Sequence, residues 1–210
     1  TYPNWVSREG ARGQEYNAWS AFANGGPDHD PTLVYTRMLS GPMDYTPGVL
    51  SLTGDNGVPF ASTLAKQLGL YLAIYSPIQM AADFIESLAE HPREMDFIRS
   101  VPTDWAESWL VAGEVGDYAI FARRDRNSRA WFAGGVNDGT ERTVTLDFAF
   151  LEPGIAYRAS VWKDGEGATY ETEARHNIAY DSFTVRAGEA REFWLAPGGG
   201  LAIRLEPLTP

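Results

Sequence analysis

The hydrophobic period of this chain changes near residue 103, and the change commits each part to a different kind of structure. From about residue 104 onward, apolar side chains recur at every second position. Val144, Leu146 and Phe148 alternate with Thr143, Thr145 and Asp147. Tyr157, Ala159 and Val161 alternate with Arg158, Ser160 and Trp162, and Leu201, Ile203 and Leu205 with Ala202, Arg204 and Glu206. Successive side chains of a strand point to opposite faces, so the pattern predicts half-buried strands. Turn signals separate them at Asn137-Asp138-Gly139, Pro153-Gly154, Asp164-Gly165 and Pro197-Gly198-Gly199-Gly200. Further strands are expected at 108–114, 117–123, 129–136, 168–173, 182–186 and 190–195. The total of about eight or nine strands suits an antiparallel sandwich of roughly 105 residues, able to stay monomeric when expressed as 104–210.

The part before this boundary reads differently. Glycine and proline punctuate residues 1–60, from Gly10 and Gly13 through Gly25-Gly26-Pro27 to Gly41-Pro42 and Pro47-Gly48. Mostly loops are expected there, with short elements at 32–39 and 42–45. Residues 62–76 predict a helix: Ser62 or Thr63 can cap it, and Leu64, Leu68, Tyr71, Leu72 and Tyr75 fall on one stripe. Beyond Pro77 the apolar pattern predicts a second helix or a kinked continuation to about 89, deeply buried over 64–81, and a short helix follows at 93–99.

Composition removes several classes of function. The chain of 210 residues carries 17 basic and 28 acidic side chains, and the net charge of −11 repels a nucleic-acid backbone. Arg123, Arg124 and Arg126 flank Asp125 and read as a solvated turn. Cysteine is absent, which excludes disulfides and thiolate chemistry. No apolar run is long enough for a membrane-spanning helix. Nucleotide-binding glycine motifs and the serine-hydrolase elbow are missing too. Thr1 is not an initiator residue, so a fragment or a processed chain is expected.

The densest polar phrase is Arg8-Glu9-Gly10-Ala11-Arg12-Gly13-Gln14-Glu15-Tyr16. Two carboxylates six residues apart would diverge on a helix, but glycine-rich backbone can bring them together. Paired carboxylates serve acid–base cleavage of a glycosidic bond or oxygen ligation of a hard cation. They also serve as plain ion-pair partners of Arg8 and Arg12. Trp5, Tyr16, Trp19, Phe22, Tyr35 and Tyr45 lie near in sequence, as aromatic rings do around sugars or in a core. Asp44, wedged among apolar and turn residues, reads as catalytic, as a ligand or, preferably, as an acceptor for loop N–H groups. Of the three histidines, His29 is placed to approach the site, and His91 and His176 read as surface residues.

Several phrases together resemble the C-terminal part of glycoside hydrolase family 97, bacterial α-glucosidases and α-galactosidases. They are Thr1-Tyr2-Pro3-Asn4, the spaced set Glu9, Ala11-Arg12-Gly13 and Glu15-Tyr16, and Tyr35-Thr36-Arg37-Met38-Leu39 with Gly41-Pro42-Met43-Asp44-Tyr45-Thr46-Pro47-Gly48. Thr63-Leu64-Ala65-Lys66-Gln67-Leu68, Tyr75-Ser76-Pro77, Gln79-Met80-Ala81-Ala82-Asp83 and the tail Leu195-Ala196-Pro197-Gly198-Gly199-Gly200-Leu201-Ala202-Ile203 also fit.

The resemblance implies an α/β plus all-β chain. Residues 1–102 would be the C-terminal portion of a catalytic (β/α)8 barrel, and residues 103–210 an antiparallel β-sandwich. It implies a hydrolase of α-glucosidic or α-galactosidic bonds acting on an oligosaccharide or α-glycoside, with Glu15 as general acid and Ca²⁺ at Glu9 and Glu15. The partner carboxylate and the remaining Ca²⁺ ligands would lie in the missing N-terminal part of the same enzyme, leaving this chain inactive alone. A periplasmic or secreted bacterial location also follows from the resemblance. The competing reading is a non-catalytic carbohydrate-binding or structural β-sandwich module, with Trp131, Trp162 and Trp194 as its aromatic candidates.

Overall fold

A computed structural model describes residues 7–16 and 25–208. The sequence readings on residues 1–4 and on Trp5, Trp19 and Phe22 lie outside the described residues. The first part contains helix α1 (His29–Tyr35), a 3₁₀ turn (Arg37–Ser40), α2 (Leu64–Ala73), α3 (Ile85–Glu90) and α4 (Pro92–Ser100). Eight strands follow: β1 (Trp105–Glu114), β2 (Tyr118–Asp125), β3 (Trp131–Asn137), β4 (Arg142–Asp147), β5 (Ala156–Asp164), β6 (Ile178–Arg186), β7 (Ala190–Leu195) and β8 (Gly200–Pro207). They build a six-stranded sheet in the order β1-β2-β3-β8-β5-β6 and a two-stranded sheet of β4 and β7. Every pairing between them is antiparallel.

The period-two pattern sorts the side chains as expected on one face. Ile120, Trp131, Ala133, Tyr157, Ala159, Val161, Leu201 and Ile203 of the large sheet share a core with Val144, Leu146, Phe193 and Leu195 of β4 and β7. Each large apolar side chain buried there contributes about 1.5–3 kcal/mol.

The opposite face is covered over its centre. Phe132, Trp162 and Ala202 pack against Leu64, Leu68, Tyr71 and Leu72 of α2, with Phe97 and Trp105 beside them. As a result β3 is buried along its whole length. The approach is closest at Gly69, where a Cβ would lie 2.0 Å from the Gly135 carbonyl oxygen. Only a residue without a Cβ lets a helix rest on a sheet at that distance.

This covering helix changes what is expected of residues 104–210 alone. Without α2 they would present Phe132, Trp162 and Ala202 to water, a patch that drives association. The expected result is a 104–210 product that aggregates or elutes as oligomers on size exclusion. A monodisperse monomer would show that the α2 cover is dispensable.

Several expectations are corrected. Residues 168–173 form turns leading to a 3₁₀ turn (Glu173–His176) in place of a strand. Thr172 caps that turn by accepting from Ala174 N, and Arg175 is drawn inward to donate to the Phe60 carbonyl oxygen at 2.9 Å. Helix α2 is shorter than 62–76 and begins on Thr63, whose hydroxyl accepts from Lys66 N. Residues 74–84 are irregular, with Pro77 barring continuation, and Ile78 is exposed. Arg123 is buried: it donates to the Leu72 carbonyl oxygen at 2.8 Å and stacks over Tyr75. Burial lowers its guanidinium to about 10. Among the described residues, parallel pairing is confined to one bridge, Arg8 to Met43, and 1–102 hold no regular strand.

Candidate active site

Residues 7–16 run beside residues 42–46. Asp44 N donates to the Arg8 carbonyl oxygen at 3.1 Å, and Gln14 N to that of Tyr45 at 2.9 Å. Arg37 stitches the two segments, donating to the carbonyl oxygens of Arg8 at 2.7 Å and Glu9 at 2.6 Å and to that of Gly41 at 3.2 Å. A guanidinium carries five donors in a fixed fork, which suits it to gathering carbonyls from two strands of chain.

Glu15 ends this pairing. Its Oε2 accepts from the Thr46 hydroxyl at 2.8 Å. The carboxylate folds back over Gly13, where a Cβ would lie 2.3 Å from Oε2. Glu15 lines a cleft of about 330 Å³ together with Thr46, Asp55, Phe60, Asp83 and Phe84. Such a volume holds a small ligand. Glu9 is exposed and lines a different hollow, with Arg8, Gly10, Arg37 and Ser40. Among the described residues no group of three His, Asp or Glu side chains could hold a metal ion.

The other candidates distribute unevenly. Tyr45 is core, Tyr35 donates to the Tyr118 carbonyl oxygen at 2.9 Å, and Tyr16 is exposed. The cleft's aromatic rings are Phe60 and Phe84, which spacing did not single out. Asp83, to which residue spacing assigns no role, accepts from Ser51 N at 2.7 Å and from the Ser87 hydroxyl at 2.9 Å. Asp44 Oδ1 is buried without a hydrogen-bond partner among the described residues. His29 does approach: its Nε2 donates to the Arg12 carbonyl oxygen at 2.7 Å. His176 is exposed, as expected.

Helix α2 supports the site from beneath through a buried lysine that its apolar stripe did not foretell. Lys66 pairs with Asp30 at 2.8 Å and donates to the carbonyl oxygens of Pro27 at 2.8 Å and Asn137 at 3.2 Å. Asp30 also accepts from the Tyr45 hydroxyl. Burial holds the Tyr45 phenol well above its ordinary range, and the charges of Asp30 and Glu15 add to that.

A third buried group, Asp164, fastens α2 to the sheet. Its Oδ1 accepts from Thr63 Oγ1 at 2.6 Å, and its Oδ2 from Ala196 N and Gly200 N, each at 2.9 Å. Burial pushes its carboxyl up from 3.8 to about 6 against these donors. Between those values the folded chain holds a proton that the unfolded chain has released. Stability therefore falls as pH rises from about 4 to about 6, by something on the order of 2–3 kcal/mol. Asp164→Asn keeps one oxygen for Ala196 N and Gly200 N but cannot titrate. Thermal melts between pH 4 and 7 should lose this slope in the variant, and equal slopes would remove Asp164 from the linkage.

Residues 104–206 match the family described as "Glycosyl-hydrolase 97 C-terminal, oligomerisation". A retaining alpha-galactosidase of Bacteroides thetaiotaomicron is 33% identical over 98% of this chain and 31% of its own length. A probable retaining alpha-galactosidase of Streptomyces bingchenggensis is 33% identical over 70% of this chain and 21% of its own. A glycoside hydrolase family 97 enzyme from Pseudoalteromonas sp. strain K8, solved in complex with acarbose, superposes with a TM-score of 0.94 at 42% identity, over 100% of this chain and 33% of that one. The chain spans about a third or less of the length of these relatives. With likeness running through both the cleft and the sandwich, the chain belongs to glycoside hydrolase family 97, as a C-terminal part of it.

Proposed function

We propose that this chain is part of an enzyme that hydrolyses α-glucosidic or α-galactosidic bonds, and that Glu15 is its general acid. The observation that carries the reading is the Glu15 carboxylate on the wall of the 330 Å³ cleft, fixed by Thr46 and given room by Gly13. Glu15 would protonate the leaving glycosidic oxygen as the bond to the sugar breaks. Residues 1–102 would belong to a (β/α)8 barrel. In support, α1 lies between the two segments that pair in parallel at Arg8 and Met43, the order of a βαβ unit. Glu15 and Thr46 each follow their segment, as side chains at the C-terminal end of barrel strands do.

The partner carboxylate would come from the rest of the enzyme, so this chain alone should be inactive. Calcium enters only as an ion shared with ligands outside the chain. Glu9 and Glu15 open into separate hollows, and two carboxylates fall short of the six to eight oxygens Ca²⁺ takes. No step here depends on it. Treating the complete enzyme with a chelator and then Ca²⁺ tests the ion: loss and recovery of activity are expected, and unchanged activity would remove it. The reading itself is tested by offering the complete enzyme α-glucosides and α-galactosides and following the released anomer by NMR. Turnover of neither would overturn it.

Of the aromatic candidates for a carbohydrate-binding module, Trp131 and Trp162 are core residues, and Trp194 is half-buried and donates to Glu141 at 3.1 Å. A structural role in assembly keeps support from the exposed Trp109 and Leu110 on the edge strand β1.

A further inference from the structure

Thr46 is one of two non-glycine residues among those described with positive φ, at +64°. A β-branched side chain is rare in that region, and the surrounding structure must over-determine it. Its carbonyl oxygen accepts from Gln14 Nε2 at 3.2 Å, while its hydroxyl donates to Glu15. Neither contact is left to chance. Gln14 and Gln67 exchange amide hydrogen bonds at 2.9 and 3.1 Å, both fully inside the protein. Gln67 Oε1 also accepts from Gly48 N and Val49 N, each at 3.2 Å. Those two backbone donors decide which end of the Gln67 amide is oxygen. One side chain of α2 thus grips the residue before Glu15 and the residues just after Thr46.

We infer that Thr46 is a positioning residue for the Glu15 carboxyl, held in a strained backbone conformation by the Gln14–Gln67 amide pair. This rests on Glu15 being the general acid. Because the hydroxyl donates to Oε2, that oxygen's facing lone pair is taken. The bond favours one orientation of the carboxyl, with Oε1 the oxygen that Thr46 does not engage.

The test separates this role from a loop-holding one. At φ +64° glycine is unstrained, so Thr46→Gly should melt no lower than the unaltered enzyme while removing the hydroxyl. In the complete enzyme its kcat/KM on a natural α-linked disaccharide should fall about 10–10²-fold, the cost of a misplaced catalytic group. On an aryl glycoside with a good leaving group, which needs little acid help, the fall should be much smaller. Thr46→Ser keeps the hydroxyl and should keep most activity on both. A Thr46→Gly enzyme as active as wild type on the disaccharide, or losing equally on both substrates, overturns the inference. Glu15→Gln measured alongside distinguishes the two readings. If it too is harmless, Glu15 is not the acid. If it is crippling while Thr46→Gly is harmless, only the positioning inference falls.

Discussion

Glu15→Gln in the complete enzyme should lower kcat/KM on a natural α-linked disaccharide by about 10²–10⁴-fold, the usual scale of general acid catalysis. The size follows from the leaving group. A sugar alkoxide leaves poorly unless it is protonated as the bond breaks, whereas an activated phenolate leaves without help. The same substitution should therefore cost far less in kcat/KM on an activated aryl glycoside. If the enzyme retains configuration, the residue that acts as acid also activates water in the second step. The glycosyl-enzyme should then accumulate on the aryl substrate and appear as a burst. An inverting enzyme would show none. Gln keeps the side chain's size and an oxygen for the Thr46 hydroxyl, so the cleft should persist. Equal losses on both substrates would make Glu15 a holder of the loop, and a small loss on both would move the acid to another residue.

The second large effect is expected at Lys66, which touches no part of the cleft. Its ammonium is fully enclosed, paired with Asp30 and bonded to the carbonyl oxygens of Pro27 and Asn137. Lys66→Met fills similar volume but leaves an unpaired carboxylate and two unsatisfied carbonyls inside. Breaking one side of a buried ion pair costs about 3–5 kcal/mol. A large fall in the thermal midpoint of the complete enzyme is expected. Adding Asp30→Asn should recover part of it, since the second change removes the stranded charge. The damage should also reach activity, because Asp30 holds the Tyr45 hydroxyl and the Tyr45 carbonyl oxygen receives Gln14 N. A loss below about 1 kcal/mol would mean that the site relaxes to let water reach Asp30.

Much of the architecture was legible in residue order because strand and helix periodicities are local. The alternation in Tyr157–Val161 and Leu201–Leu205 selected the face that meets β4 and β7, and Thr63 marked the start of α2 by its own hydroxyl. The prominence of Glu15 was legible too, through the phrase around it and the family resemblance those phrases carry.

What residue order could not supply were contacts across large sequence separation. Nothing local makes Trp162 or Arg123 inward-facing; α2, about fifty to a hundred residues earlier, closes over them and turns a half-wet sheet into a doubly covered one. The same holds at the cleft, where Glu15 meets Thr46 across 31 positions and Gln14 meets Gln67 across 53. Periodicity reports which way a side chain points along its own element. Only the packed chain decides what it meets there, because burial and hydrogen bonding depend on neighbours that local sequence does not encode.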